Sequence, residues 1–228
     1  MQPEIQYGAQ SGPLSVAQNK VLRNTYLLLA LTMVPTVIGA FVGMSTGGII
    51  MQHPIMATLL MIGAIIGLQF AIAANRNSGL GVVLLLGMTF ILGWWLGPLL
   101  NVALRLQNGP QLIGIAAVGT GGILLTMSLI ATTTKKDFSF MGKFLFVGMI
   151  VLLLAMLANM FFQIPALALA LSGVAVLLFS GFILYDVSRV VTGGETNYVM
   201  ATLAIYLDIY NLFVNLLQLL MALLGERD

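Results

Sequence analysis

The chain has no cysteine and a single histidine, His53, among its 228 residues. The first absence excludes disulfides, thiolate metal sites and cysteine nucleophiles. The second leaves a histidine-assisted serine nucleophile without a base inside any apolar stretch, and a histidine metal site without partners. His53, beside Pro54, reads as a loop residue at a membrane interface. Charge is scarce as well: Asp, Glu, Lys and Arg make up 7% of the chain, against about 25% in a soluble domain. So few charges cannot coat a surface that faces water. With 60% hydrophobic residues and a mean hydropathy of +1.06, the chain belongs in a bilayer. Its net charge of +2 gives no reason to expect a nucleic-acid partner.

What is present is a run of apolar segments. A helix needs about 20 apolar residues to cross the hydrocarbon core. Seven stretches qualify, at 24–45, 55–74, 80–100, 111–132, 143–163, 166–190 and 198–223. Pro54, Pro110 and Pro165 stand at or just before helix starts, where a missing N–H costs little. The polar runs 75–79 and 192–197 read as turns, with Thr196 or Asn197 placed to cap the last helix. Pro35 lies inside the first span and is expected to kink it. Residues 1–19, rich in Gln, Gly, Ser and Pro, read as a disordered cytoplasmic tail, and 20–228 as the seven-helix domain. No basic n-region opens the chain, so a cleavable signal peptide is not expected. Gly39/Gly43, Gly63/Gly67 and Gly93/Gly97 are each spaced four apart, a pattern that lets helix backbones approach closely.

Lysine and arginine set the expected orientation. Lys20, Arg23, Arg76, Lys135, Lys136, Lys143 and Arg189 fall on one side of a seven-span arrangement. Only Arg105 and Arg227 fall on the other. The N-terminus is therefore expected in the cytoplasm and the C-terminus outside.

The costliest residues in the apolar segments are two aspartates, Asp186 in the sixth span and Asp208 in the seventh. A carboxylate in hydrocarbon persists only if it is protonated, paired or wetted. The two spans are joined by a short turn, so the carboxyls are expected to approach each other. Two charges are hard to hold together in low dielectric, and such a pair is expected to share one proton. Loss of that proton as pH rises would push the pair apart and free oxygens suited to a hard cation such as calcium. Arg189, three residues after Asp186, competes as an ion-pair partner on the same helix face. In the last span Asp208, Asn211, Asn215 and Gln218 recur at steps of three, four and three, one face of a helix. Two readings of this stripe stand: the lining of a water-filled path, or hydrogen bonding between helices. Asn159 and Gln163 in the fifth span form a second polar pair, in a position to meet Asn215 or Gln218. Tyr206 and Tyr210 flank Asp208 but belong to another face.

The segment FSGFILYDVSRVVTGGETNYVMATLAIYLDIYNLFVNLL resembles the C-terminal signature of the Bax inhibitor family, the transmembrane Bax-inhibitor-motif proteins. KVLRNTYLLLALT, LGPLLN and TKKDFSFMGKFL are similar to the bacterial YccA-type branch, so the resemblance covers nearly the whole chain. It implies an all-α membrane fold of seven helices, three hairpins around a central seventh. It also implies a pH-sensitive calcium leak gated by the aspartates at positions 186 and 208. Members with a calcium leak carry ionisable residues in the second helix, including an arginine that latches onto the sixth-helix aspartate. Here that helix departs from the pattern: Gln69 is its one strongly polar residue, and Arg76 just beyond it is at best a displaced substitute. The YccA-type branch is associated with modulating a membrane AAA protease of the FtsH type, for which the N-terminal tail is the obvious handle.

An intramembrane aspartyl protease also uses two aspartates on neighbouring helices. Its second motif needs glycines before the aspartate, whereas Asp208 follows Ile205-Tyr206-Leu207, and Pro165-Ala166-Leu167 precedes both acids instead of following them. No enzymatic activity and no tightly bound cofactor are expected. The sequence reading is a bacterial inner-membrane protein that passes calcium under pH control, with the protease modulator as alternative.

Overall fold

The structure, a computed structural model, describes residues 16–48, 52 and 54–226. The described residues form seven α-helices and no strand: α1 (Val16–Thr46), α2 (Pro54–Ala74), α3 (Gly79–Ala103), α4 (Gly109–Thr134), α5 (Met141–Phe162), α6 (Pro165–Thr192) and α7 (Tyr198–Leu224). All seven are long and apolar enough to cross a membrane. The expected segments recur with their ends displaced by a few residues, except at the first. There α1 begins at Val16 and takes in residues 16–19, which were expected in the tail. Gln18, Asn19, Lys20 and Arg23 continue the helix beyond its apolar length. The expectations for residues 1–15 and for His53 lie outside the described residues.

α7 is the most enclosed helix. It packs against α1, α2, α3, α4 and α6. Between Tyr198 and Met221 only Gln218 is exposed. The other helices turn Leu, Ile and Phe outward, as Phe144, Phe146 and Phe161 of α5 do. Such a surface fits lipid and not water. Neighbours in space do not simply follow chain order: α1 lies along α3, and α2 packs mainly on α3, while α5 and α6 pack together across a two-residue connection.

The α1–α3 contact follows from glycine. A Cβ on Gly39 or Gly43 would strike the Phe90 and Trp94 backbone, and one on Gly93 or Gly97 would strike the Thr36, Gly43 and Met44 backbone. Two small-residue pairs thus face each other and bring main chains into contact. Gly63 and Gly67 have open space beside them and join no such contact.

Ties between turns gather the basic residues. Ser188 Oγ donates to the Lys136 carbonyl at 3.0 Å and accepts from Phe138 N at 3.1 Å. Asn197 Nδ2 donates to the Arg76 carbonyl at 3.1 Å and to Asn77 Oδ1 at 2.8 Å. Gly193 lies beside the Gln18 side chain at the start of α1. Lys20, Arg23, Arg76, Lys135, Lys136, Lys143 and Arg189 therefore belong to one end of the bundle. Asn108 and Gln107, next to Arg105, bond Leu224 and Glu226 at the other end.

Candidate functional site

α6 runs unbroken to Thr192, where Gly193 takes a left-handed φ of 84° and ends it. Only a residue without a Cβ adopts that turn at no steric cost. The chain reverses within five residues. Asn197 then caps α7 by accepting from Val199 N at 3.0 Å and Met200 N at 3.1 Å. Of the two expected caps, Asn197 is the one used. This tight reversal sets α6 and α7 side by side.

Asp186 stands six residues from the end of α6 and Asp208 ten residues into α7, depths of roughly 9 Å and 15 Å along the two axes. Side-chain reach closes the difference, and the two carboxyls are neighbours across the α6–α7 contact. Asp208 is 6% exposed, and its Oδ2 is buried without a hydrogen-bond partner. Asp186 sits one step closer to water, its side chain 13% exposed, and Arg189 Nη1 approaches its Oδ1 at 3.8 Å. Arg189 Nη2 lies 3.8 Å from Glu195 Oε2, in a side chain 21% exposed. The acids thus form a stair, from Asp208 in the bundle through Asp186 to Glu195 at the turn, with Arg189 over the last two. Asp186 thus neighbours both Asp208 and Arg189. Glu195 belongs to the cluster and also accepts from Asn197 N at 2.8 Å.

Arg76 does not reach the site. It is exposed and forms no ion pair among the described residues; only its backbone carbonyl meets the α6–α7 turn, through Asn197. The cation next to the sixth-helix aspartate is Arg189, from the same helix.

The polar stripe of α7 runs along α6. At one end Asp208 faces Asp186, and at the other Ser172 Oγ donates to Gln218 Oε1 at 3.3 Å. Between them Asn211 Nδ2 donates to the Leu207 carbonyl and Asn215 Nδ2 to the Asn211 carbonyl, each at 2.8 Å. Those two amides satisfy donors within their own helix. Asn159 and Gln163 stay away from the stripe. Gln163 ends α5 in a left-handed conformation with φ 51°, and Asn159 Oδ1 accepts from Ile164 N at 3.0 Å across the turn. They shape the α5–α6 connection.

On the opposite face of α7 lies a feature that the sequence reading left aside. The Tyr206 hydroxyl meets Thr36 Oγ1 of α1 at 2.7 Å and donates to the Thr89 carbonyl of α3 at 3.4 Å. Tyr210 donates to the Leu92 carbonyl at 3.0 Å, and the two rings stack with centroids 6.4 Å apart. The four-residue spacing of two tyrosines in hydrocarbon was the available signal, since a buried hydroxyl needs a partner.

No group of three or more His, Asp or Glu among the described residues is placed to hold a metal ion. A calcium ion takes 6–8 oxygens, so Asp186 and Asp208 alone do not make a storage site.

Comparison with known proteins agrees with these elements. The sequence model for the family described as "Inhibitor of apoptosis-promoting Bax1" matches residues 18–225. An uncharacterized membrane protein of Vibrio cholerae is 45% identical over 202 residues, 89% of each chain. The Escherichia coli K12 protein named "Modulator of FtsH protease YccA" is 40% identical over 205 residues, covering 90% of this chain and 91% of its own. The same figures hold for the "Inner membrane protein YccA" of E. coli O6:H1. Seven spanning helices, paired aspartates on the last two of them and similarity along nearly the whole chain lead to one assignment: this is a membrane protein of the Bax inhibitor-1 family.

Proposed function

We propose that the chain is a non-enzymatic, pH-sensitive passive leak for calcium in the bacterial inner membrane, with its N-terminus in the cytoplasm. The observation that carries this reading is the buried carboxyl pair Asp186–Asp208 facing across α6 and α7. One proton held between them offsets the cost of two charges in low dielectric. As pH rises the proton leaves, the carboxylates repel, and α6 and α7 part along the stripe of Asn211, Asn215 and Gln218. Glu195 at the turn draws cations toward the opening. The conformation described is read as shut, since the large cavity of the bundle includes neither aspartate. The basic end of the bundle faces the cytoplasm by the excess of Lys and Arg there. Calcium entry into proteoliposomes loaded with a calcium-sensitive dye tests the reading: flux rising with pH supports it, and no flux at any pH rejects it.

A second reading is favoured by the name of the E. coli relative at 40% identity: the chain modulates an FtsH-type AAA protease in the membrane. It predicts that removing residues 1–15, ahead of α1, changes association with or degradation by that protease and leaves calcium flux as it was. If flux is absent and the protease association present, this reading stands alone.

A further inference from the structure

α1 and α4 stand on either side of α7 without an extended interface between them. The gap is a cavity of about 580 Å³ with α3 and α7 as its floor. Met33 and Val37 wall it on α1, Ala117, Thr120 and Gly121 on α4, and the Tyr206 ring forms its base. Val37 and Ala117 are exposed at its edges, so the cavity opens sideways toward the hydrocarbon. Its size falls within the ~300–1,000 Å³ of pockets that enclose a small ligand. A spanning helix, ~10–12 Å wide and ~30 Å long, is several times too large for it.

Length and charge identify the occupant. The α4 wall runs from Ile113 to Leu124, about 16 Å at 1.5 Å per residue, or roughly the depth of one leaflet in a ~30 Å core. Continuing the α4 face by steps of four and three leads through Ser128 and Ala131 toward the helix end, which Lys135 caps with φ 51°. One turn below Tyr26 on α1 stands Arg23, exposed at the same end. Tyr26 lines the cavity at this end, and its hydroxyl and the neighbouring Ser128 Oγ are both buried without a hydrogen-bond partner. Asp137, the acid of the adjoining loop, accepts from Ser139 N at 2.8 Å. From the basic end inward the order is two cations, two hydroxyls and an apolar slot.

We propose that this groove holds one anionic phospholipid of the leaflet at the basic end, its acyl chain between α1 and α4 against Tyr206. The phosphate lies by Arg23 and Lys135, and the ester oxygens meet Tyr26 and Ser128. The lipid presses on the face of α7 opposite Asp208, so membrane composition acts on the helix that carries the acid pair. The assignment does not depend on what α6 and α7 conduct.

Native mass spectrometry of the full chain in detergent, titrated with phosphatidylglycerol or phosphatidylcholine of identical acyl chains, tests it. Wild type should take up one phosphatidylglycerol in preference to phosphatidylcholine. Arg23→Gln should weaken phosphatidylglycerol about fivefold, the effect of one surface cation, and leave phosphatidylcholine unchanged. Gly121→Leu, where no atom lies within 4 Å of an added Cβ, and Ala117→Phe at the exposed edge should each abolish binding of both lipids with the helices intact by circular dichroism. Full phosphatidylglycerol binding in both groove-filled variants, or no lipid preference in wild type, would overturn the proposal. So would a change of oligomeric state in those variants with lipid retained, which would give the groove to a second copy of the chain.

Discussion

Thr36 of α1 and Tyr206 of α7 share a hydrogen bond of 2.7 Å across 170 positions of sequence. Tyr206 is two residues from Asp208 and points to the other side of α7. The helix is therefore fastened to α1 and α3 by its tyrosine face, while its acid face lies on α6. In the proposed gating, proton loss at the acid face would meet a helix already held on its far side, so α6 is the partner expected to move.

Removing that fastening should cost little and show coupling. Tyr206→Phe and Thr36→Val are each expected to lower stability by about 0.5–1.5 kcal/mol, in the range of intramembrane hydrogen bonds. The double variant should fall well short of their sum, because either change removes the same bond. Thermal unfolding in detergent measures this; strict additivity would show that the two hydroxyls do not interact.

The glycine pairs separate by location. Gly93→Leu places a side chain against the Thr36 backbone, which cannot yield, and should destabilise by more than about 3 kcal/mol or prevent folding. Gly67→Leu enters open space and should stay within about 0.5 kcal/mol of wild type. Expression level and melting temperature of the two variants check the contrast. Equal effects would mean that α1 and α3 do not pack through this seam.

Much of this was legible in the sequence and some of it was not, for definite reasons. The seven spans are written in hydropathy, since lipid imposes one length on every crossing helix. Asp186 and Asp208 stand out because a carboxylate in hydrocarbon needs an explanation. Glycine spacing shows that a helix is able to pack closely, but not whether a partner is present; Gly63 and Gly67 carry the same signal as Gly93 and Gly97 with no partner beside them. Stripe periodicity likewise shows where Asn211 and Asn215 stand, yet their amides turn back to their own carbonyls, a choice made by rotamer and neighbours. Asn159 and Gln163 read as polar residues in a span, though their place at its last turn makes them helix-ending residues. The groove between α1 and α4 depends on which helices fail to meet, and no local pattern reports that.

Under the proposed gating, Arg189 sets where on the pH axis the acid pair responds. It lies 3.8 Å from both Asp186 and Glu195, and its positive charge supports the acid cluster. Arg189→Gln removes that support, so the pair keeps its proton to higher pH. The midpoint of calcium flux should move up, by less than about one pH unit because the guanidinium is partly solvated. Flux titrations of wild type and variant measure the shift. A movement toward lower pH would contradict the assigned role.

The central claim is that a proton held between Asp186 and Asp208 keeps α6 and α7 together. The most direct measurement is calcium flux into proteoliposomes from acidic to mildly alkaline pH, for wild type and Asp208→Asn side by side. Wild-type flux should climb with pH, and the variant, which has no carboxylate to release at position 208, should give a flat profile. A variant that keeps the wild-type pH dependence would contradict the account.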